Sequence, residues 1–317
     1  MGAALTLASR GQGRTAPNPP VGCVILSAGR VVGRGWTQPG GRPHAEAMAL
    51  AQAGDRARGA TAYVTLEPCA HVSTRGPACS DLLIRSGISR LVCARTDPDP
   101  RTAGRGLQRI ADAGISVTNG VRSDEASAVM AGFLMRQQHG RPHVTLKMAT
   151  SLDGCIALPD GRSQWITGPE ARAHAHLERA RADLILVGRG TLDADAPRLD
   201  VRLPGLEDRS PVKAVLSSRA QAPFGWVRLS RPEDIATLDR VDHILIEGGH
   251  SAAAAFLKAD LVDQLLIYRA PIIIGSGLPS VGNIGLADLP AAHGRWVIID
   301  QRKLGSDLLE VYERHRG

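Results

Sequence analysis

Four residues in the first quarter of the chain could together carry out hydrolytic chemistry: His44, Glu46, Cys69 and Cys79. An imidazole and two thiolates suit tetrahedral zinc, and a set of three protein ligands leaves the fourth position for water, as in catalytic sites. Zinc lowers the pKa of bound water towards neutrality, so that hydroxide can attack an amidine-like ring carbon. Glu46, two residues after a ligand, can carry the proton to the ring nitrogen and the departing ammonia. The set predicts a zinc-dependent deaminase site with Glu46 as the catalytic acid and base.

The elements around these residues are predicted in an order that would bring them together. His44 opens a helix that runs to Ala53, Cys69 follows a strand, and Cys79 precedes a second helix. We expect both cysteines near helix N-termini, where the dipole favours the thiolate. A lone His-x-Glu or two cysteines ten positions apart would be weak evidence. In this order they are typical of zinc nucleobase deaminases, in which the second cysteine normally follows sooner.

Hydrophobic periodicity predicts alternating strands and helices in both halves of the chain, and therefore an α/β fold class. In the first half the predicted strands are Val21 to Leu26, Arg30 to Trp36, Ala62 to Leu66, Ser89 to Ala94 and Ile115 to Thr118, and the helices are His44 to Ala53, Ser80 to Arg85, Gly106 to Ala113 and Ser123 to Gln138. In the second half the strands are His143 to Ala149, Asp183 to Val187, Lys213 to Ser217, His243 to Glu247 and Gln264 to Tyr268, and the helices are Pro169 to Arg181 and Ser251 to Lys258. The polar segment Gln138 to Pro142 contains Gly and Pro, which predicts a boundary between domains 1–140 and 141–317.

Composition limits the class of protein. The 317 residues suffice for two domains, and 43% hydrophobic with 22% charged residues is typical of globular chains. No apolar run approaches the roughly 18 residues of a membrane span, and five cysteines, an odd number, favour metal binding or burial over disulfides, hence a reducing cytoplasm. The net charge of +7 suits an anionic partner, but only 3% of residues are aromatic, which disfavours single-stranded nucleic acid. A phosphorylated small molecule fits as well, and a homo-oligomer is compatible with the sequence.

Three segments of the first half carry a specific resemblance: Pro17 to Val24, Gly41 to Glu46, and Thr65 to Cys69. They resemble the deaminase domain of the bacterial RibD family of riboflavin biosynthesis. The resemblance implies a cytidine-deaminase-like three-layer α/β/α domain. It also implies that Asn18 and His71 bind the pyrimidine of a diaminopyrimidinone ribosylamino phosphate. The loop from 70 to 78 is about one residue longer than is usual in the family, and Arg75 is a candidate for the family's basic loop residue.

The second half lacks a G-x-G-x-x-G fingerprint, so an ordinary dinucleotide-binding fold is not predicted. Lys147 to Gly154, Ser163 to Thr167, and Glu247 to Gly249 resemble the reductase domain of the same family, which is similar to dihydrofolate reductase. The resemblance implies an α/β domain that uses NADPH to reduce the ribosyl group of the deaminated intermediate to a ribityl chain. The glycines before Ser251 also offer backbone amides for a phosphate at a helix N-terminus.

Matching positions imply the contacts of this second site. NADPH contacts would be Thr150, Trp165, Thr191, Asp195, Ser218, Gly249, His250 and Ser251, continuing to Ala255. Substrate contacts would be Ser163, Arg179, Leu199, Arg202 and Glu247. Since guanidinium groups bind phosphate oxygens bidentately, Arg179 and Arg202 are expected to form a fork around the sugar phosphate.

Two departures from the family keep alternatives open. The chain is shortened between about 219 and 242, and Asp193 and Asp195 stand apart where the family has an adjacent acidic pair. One alternative is a deaminase whose second half is a degenerate binding or dimerisation domain. Another is an RNA-editing deaminase whose basic second half grips a nucleic-acid backbone, for which strong salt-dependent RNA binding would be the evidence.

Overall fold

The computed structural model describes residues 1–71, 76–219 and 221–316. Contacts between Cα atoms divide the chain into two compact units, Met1–Gly140 and Arg141–Gly317. Within the described ranges, no helix combines the length and the apolar character that crossing a bilayer would demand.

The first unit is an α/β layer structure around one sheet. Its elements are α1 (Gly2–Ser9), β1 (Gly22–Ser27), β2 (Arg30–Trp36), α2 (Ala45–Ala53), β3 (Thr61–Val64), α3 (Cys79–Arg85), β4 (Arg90–Cys93), α4 (Arg105–Asp112), β5 (Ser116–Thr118), α5 (Ser123–Val129) and α6 (Ala131–His139). The described strands are ordered β2-β1-β3-β4-β5. β1 is antiparallel to β2 and β3, whereas β3, β4 and β5 are parallel. The carboxyl end of β3 therefore leads into the loop that carries Cys69.

Close packing of α2 on β2 sets the position of the helix that begins after His44. A Cβ atom added at Gly35 would lie 2.1 Å from the Ala45 carbonyl oxygen, and one at Gly33 would lie 2.2 Å from that of Ala49. Only glycine permits such an approach, because any side chain would overlap the helix backbone. The glycines of β2 thus hold the first turn of α2, with Glu46, against the sheet.

The second unit is built on a mixed sheet. Its elements are β6 (His143–Thr150), β7 (Cys155–Ala157), α7 (Pro169–Arg181), β8 (Leu184–Gly188), α8 (Arg189–Asp195), β9 (Val212–Leu216), β10 (Val227–Leu229), β11 (His243–Ile246), α9 (His250–Lys258), β12 (Gln264–Arg269), β13 (Leu278–Pro279), β14 (Trp296–Leu304) and β15 (Asp307–Arg314). The described strands of the large sheet are ordered β10-β9-β8-β11-β6-β12-β15-β14. Strands from β10 to β12 are parallel, and β15 and β14 add an antiparallel hairpin at one edge.

The predicted α/β class is confirmed in both units, and most predicted elements occur within two residues of their expected bounds. The single helix predicted from Ser123 to Gln138 is wrong, because the backbone leaves helical geometry at Met130 (φ −105°, ψ 16°) and two helices result. Met130 is 1% exposed, so the break inserts its side chain into the core. Helix α1 and the β14–β15 hairpin were not predicted.

Candidate active sites

The first candidate site brings His44, Cys69 and Cys79 together. One ligand atom from each residue lies within 4.8 Å of the others. His44 Nδ1 is 3.3 Å from Cys79 Sγ and 3.7 Å from Cys69 Sγ. Tetrahedral zinc with bonds of about 2.0 to 2.3 Å holds its nitrogen and sulfur ligands roughly 3.5 Å apart. The donor set and its spacing therefore fit one zinc ion bound through Nδ1.

The starts of two helices and a backbone hydrogen bond position the three side chains. His44 is the residue before α2, and Cys79 is the first residue of α3. Cys69 lies in the loop after β3, and its sulfur lies at the N-terminus of α3, as predicted. Its sulfur accepts the backbone N–H of Cys79 (3.3 Å), while its carbonyl accepts that of Ser80 (3.2 Å). The N-terminus of α3 thus supplies the favourable electrostatics expected for a thiolate.

Glu67 anchors the Cys69 loop from within the motif that precedes it. Its side chain is buried, and its carboxylate accepts backbone N–H groups of Asp97, Gly104, Gly106 and Leu107 at 2.8 to 3.2 Å. These bonds satisfy free amides at the start of α4. They hold Glu67, two residues before Cys69, at the N-terminus of α4.

Electrostatics at the site lower the pKa of one thiol and raise that of the Glu46 carboxyl group. The pKa of Cys69 falls to about 4 because its sulfur accepts hydrogen bonds from the Cys79 thiol and, more weakly, from His44. Donation to Cys69, together with burial, raises the pKa of Cys79. Glu46 is 3% exposed, and burial raises its pKa, although the nearby His44 opposes this shift. A carboxyl group with a raised pKa suits proton transfer near neutral pH.

Asn18 and His71, the two residues predicted to contact the pyrimidine, differ in their hydrogen bonding. The Asn18 side chain is 2.9 Å from His44 Nε2 and donates from Nδ2 to the Gly41 carbonyl at 3.0 Å. His71 is partly buried, and its Nδ1 has no hydrogen-bond partner among the described residues. Arg75 lies outside the described residues.

The second candidate site is a cavity of about 1520 Å³ in the second unit. It exceeds the 300 to 1,000 Å³ typical of a pocket for one small molecule, so a cofactor and a substrate can both be accommodated. Twelve residues predicted as contacts line it: Ser163, Trp165, Arg179, Thr191, Asp195, Leu199, Arg202, Ser218, Glu247, Gly249, His250 and Ser251. Thr150, which is 3% exposed at the end of β6, is absent from the described lining.

Arg179 does not form the free fork that we expected around a phosphate. Its Nε and Nη2 donate to the two carboxylate oxygens of Glu247 at 2.6 and 2.9 Å, and its Nη1 donates to the Asp200 carbonyl at 2.9 Å. Both side chains are nearly buried, at 13% and 10% exposure. A buried guanidinium needs a carboxylate partner, so Glu247 occupies the bidentate face that a phosphate would use.

The cavity lining also includes residues that the sequence did not single out as contacts, among them Lys147, His176 and Tyr268. Lys147 Nζ lies 3.8 Å from Glu247 and 5.8 Å from the centre of the Tyr268 ring. Alternation along β6 could have revealed Lys147, because a lysine in a buried strand must face a partner or a cavity. No comparable signal marks Tyr268, which looks like a core residue of β12.

Comparison with known protein families assigns both units. Residues 1–95 match the cytidine and deoxycytidylate deaminase zinc-binding region, and residues 142–308 match the RibD C-terminal domain. The matched regions contain the His44 cluster and the cavity, respectively.

Relatives match the chain along nearly its whole length. The riboflavin biosynthesis protein RibD of Escherichia coli is 40% identical, over 92% of this chain and 93% of its own. That of Mycobacterium tuberculosis H37Rv is 40% identical, over 98% and 95%. A structure of RibD from Acinetobacter baumannii has a TM-score of 0.88 at 34% identity and covers 99% of this chain and 98% of its own. A Thermotoga maritima structure described as a diaminohydroxyphosphoribosylaminopyrimidine deaminase and 5-amino-6-(5-phosphoribosylamino)uracil reductase has a TM-score of 0.89 at 32% identity, over 99% and 97%. The chain therefore belongs to the RibD family of bifunctional deaminase and reductase proteins of riboflavin biosynthesis.

Proposed function

We propose that this chain catalyses two consecutive steps on one phosphorylated pyrimidine. The first is hydrolytic deamination of 2,5-diamino-6-ribosylamino-4(3H)-pyrimidinone 5′-phosphate by residues 1–140. The second is NADPH-dependent reduction of the ribosyl group to ribityl by residues 141–317. The observation that carries the proposal is the cluster of His44, Cys69 and Cys79 with buried Glu46, in a chain whose second unit has a cavity large enough for two ligands. The name given to the Thermotoga maritima relative supports this choice of substrates.

In the deamination step, His44, Cys69 and Cys79 would hold zinc. Bound zinc would supply Lewis-acid activation of water at neutral pH. Glu46, buried beside the ligands, would accept one proton of the attacking water and deliver it to the ring nitrogen. It would then transfer the hydroxyl proton of the adduct to the amino group, which leaves as ammonia while the ring carbonyl forms. Burial, which raises the pKa of this carboxyl group, favours its role as an acid in the later transfers. His71 has a buried nitrogen that lacks a partner among the described residues, and this nitrogen would form a hydrogen bond with the pyrimidine ring.

In the reduction step, the start of α9 would hold the phosphates of the cofactor. Gly249 precedes this helix, and its N–H is fixed by Thr191 Oγ1 at 3.0 Å. A Cβ atom at Gly248 would lie 2.8 Å from the Ala252 Cβ atom, so glycine lets this turn pack closely against the first turn of α9. Buried His250 Nδ1 has no partner in the described ranges of the chain and is available to a ligand. Bound NADPH would supply the hydride.

The remaining cavity residues would orient the sugar. The Lys147 ammonium, held between Glu247 and Tyr268, is placed to supply the proton that opening of the ribosyl ring requires. Arg202 is 51% exposed, so its guanidinium remains accessible to the sugar phosphate. We place the protein in the cytoplasm, since all five cysteines are free thiols, and expect neither nucleic acid nor membrane as a partner.

Replacing Glu46 by Gln tests the proposal. The amide cannot shuttle protons, so ammonia release should fall by about 10² to 10⁴-fold. Oxidation of NADPH with the deaminated intermediate should be unchanged, because the reductase site is in the other unit. Ammonia is measured enzymatically, and NADPH by its absorbance. Glu125→Gln, at an exposed glutamate of the same unit, is the matched control and should leave both rates unchanged.

Two results would reject parts of the proposal. Ammonia release by Glu46→Gln at the rate of the unsubstituted chain would remove Glu46 from the catalytic step. Absence of NADPH oxidation with the intermediate in the unsubstituted chain would instead favour a degenerate second unit.

A further inference from the structure

The His44 imidazole is contacted at both of its nitrogen atoms. Nδ1 faces the sulfur atoms of Cys79 and Cys69, at 3.3 and 3.7 Å. Nε2 faces the side-chain amide of Asn18 at 2.9 Å. A metal ion shared by these three ligands would bind Nδ1, which leaves the ring proton on Nε2. In proteins that bind metals, such a ring N–H almost always donates to an oxygen atom of the surrounding shell, and that bond fixes the tautomer and orientation of the ring.

Two docked turns hold Asn18 at this position. The backbone N–H of Asn18 donates to the Thr15 carbonyl at 2.9 Å, and that of Gly40 donates to the Arg14 carbonyl at 2.9 Å. Gly41 has φ +84°, and a Cβ atom there would lie 2.7 Å from Asn18 Cγ. The turn that contains Asn18 is therefore packed directly on the glycine turn that leads to His44. Its amide is placed by the backbone rather than by a flexible stem.

The amide makes a second bond that bears on its role. Asn18 Nδ2 donates to the Gly41 carbonyl at 3.0 Å and is the atom nearest His44 Nε2. This orientation suits a ring whose Nε2 accepts a hydrogen bond, as in a metal-free imidazole with its proton on Nδ1. When Nδ1 binds a metal ion, Nε2 becomes a donor, and the Asn18 amide must present its oxygen instead. Rotation of the amide about its terminal torsion exchanges the two atoms. The rotation gives up the bond from Nδ2 to the Gly41 carbonyl, so the amide oxygen must also move away from that carbonyl.

We propose that Asn18 is a positioning residue of the metal centre, whose amide oxygen accepts the Nε2 proton of His44 when zinc is bound. This inference rests on the proposed zinc site. It assigns Asn18 the role of orienting the zinc ligand His44, whereas the family resemblance implies that Asn18 binds the pyrimidine. Loss of an oxygen acceptor at such a position typically weakens metal affinity by about 10- to 100-fold.

Three substitutions in the full chain separate the roles open to Asn18. Asn18→Leu keeps the volume but removes both bonds. Asn18→Asp keeps an acceptor for His44 and removes the donor to Gly41. Asn119→Leu is the control, because Asn119 is exposed in the same unit and bonds to Thr96, away from the cluster. Zinc affinity is measured by competition with a chromophoric chelator, and far-UV circular dichroism of the zinc-free proteins checks the fold.

We expect Asn18→Leu to bind zinc about 10- to 100-fold more weakly, while Asn18→Asp and Asn119→Leu retain the affinity of the unsubstituted chain or exceed it. Unchanged affinity in Asn18→Leu, or a rise in KM alone, would overturn the inference in favour of a substrate contact. Equal loss in Asn18→Asp and Asn18→Leu would also overturn it, since the bond to Gly41 would then be the important one. Failure of the unsubstituted chain to bind one zinc ion would reject the proposed metal site itself.

Discussion

Glu247 illustrates how neighbouring charges decide the state of a single buried residue. Burial by itself would raise its pKa, but Lys147 and Arg179 reverse this effect and lower the pKa to about 2. The carboxylate is therefore charged at every physiological pH, and its stabilising contribution is lost only as the pH falls from the unfolded value of about 4.3 towards 2. Arg179 in turn is committed to this carboxylate.

Breaking the pair should destabilise the second unit. Arg179→Met and Glu247→Gln each leave a buried charge without its bidentate partner, and each should reduce the free energy of unfolding by about 3 to 5 kcal/mol. The double variant should lose at least about 1 kcal/mol less than the sum of the two, because neither charge of the pair remains. Urea unfolding followed by tryptophan fluorescence measures these values.

The control for this cycle is Arg198→Met, at an arginine that is 75% exposed and paired with Asp200. Its effect should stay within about 1 kcal/mol, as is usual for surface ion pairs. Strict additivity of the Arg179 and Glu247 substitutions would contradict the inferred coupling.

At the scale of single residues, the grouping of side chains in a site could be predicted where residue types and their spacing are distinctive. His44, Cys69, Cys79 and Glu46 have a rare combination of chemistry, so the sequence alone was enough to predict that they group together. The engagement of Arg179 was not predictable, because its partner is 68 positions away and nothing local marks the pairing. The contact of Asn18 with His44 likewise depends on two turns that dock only in the folded unit.

At the scale of elements, the paired strands β6 and β11 both begin with a histidine, of which His143 is buried and His243 is half-buried. His143 and His243 are direct neighbours in register, with ring centres 5.1 Å apart. Burial lowers the pKa of His243 to about 3, and the charge of His143 would lower it further in the same direction. Its Nε2 lies 2.8 Å from Thr145 Oγ1. The folded unit therefore holds His243 uncharged.

This pair should make stability depend on pH. The unfolded chain binds a proton at His243 below about pH 6.5 whereas the folded unit does not, so folded stability falls as the pH is lowered from there towards 3. The slope from His243 is about 1.4 kcal/mol per pH unit. His243→Gln removes the titrating group but retains a side chain that can bond to Thr145. The free energy of unfolding of this variant should therefore depend less steeply on pH, by the amount that uptake of about one proton contributes.

Urea unfolding of the two proteins between about pH 5 and pH 6.5 measures this slope, in a window above the titration of most carboxylates. Identical slopes for His243→Gln and the unsubstituted chain would show that His243 is not the titrating group.

At the scale of elements, periodicity and glycine turns were informative for the central strands and for α2 and α7. Helix α1 was missed because it is eight residues long and apolar on most sides, and it packs where a Cβ atom at Gly22 would lie 1.9 Å from the Ala4 carbonyl. Strand β14 was missed because a bulge near Ile299 interrupts alternation, and exposed apolar residues stand beside charged ones. Both elements depend on tertiary packing, which outweighs local preference.

For the whole molecule, the family and the α/β class followed from motifs spread along both halves, and the comparisons confirm them. The shortened segment between 219 and 242 suggested a weakened second unit. The structure instead has β10 within that segment, paired with β9, and a large cavity beside residues 217 to 219. The length of this segment did not predict whether the cavity forms, because most of the lining residues come from other parts of the second unit.

The central claim is that two sites on one chain act in sequence, and a coupled assay tests it most directly. The unsubstituted chain is given the phosphorylated diaminopyrimidine with zinc and NADPH, and ammonia and NADPH are followed separately. We expect one NADPH oxidised for each ammonia released, with oxidation lagging behind release. With Glu46→Gln, the diaminopyrimidine should give neither signal, while the deaminated intermediate should still oxidise NADPH. Oxidation of NADPH by Glu46→Gln acting on the diaminopyrimidine, or ammonia release without any oxidation in the unsubstituted chain, would contradict the account.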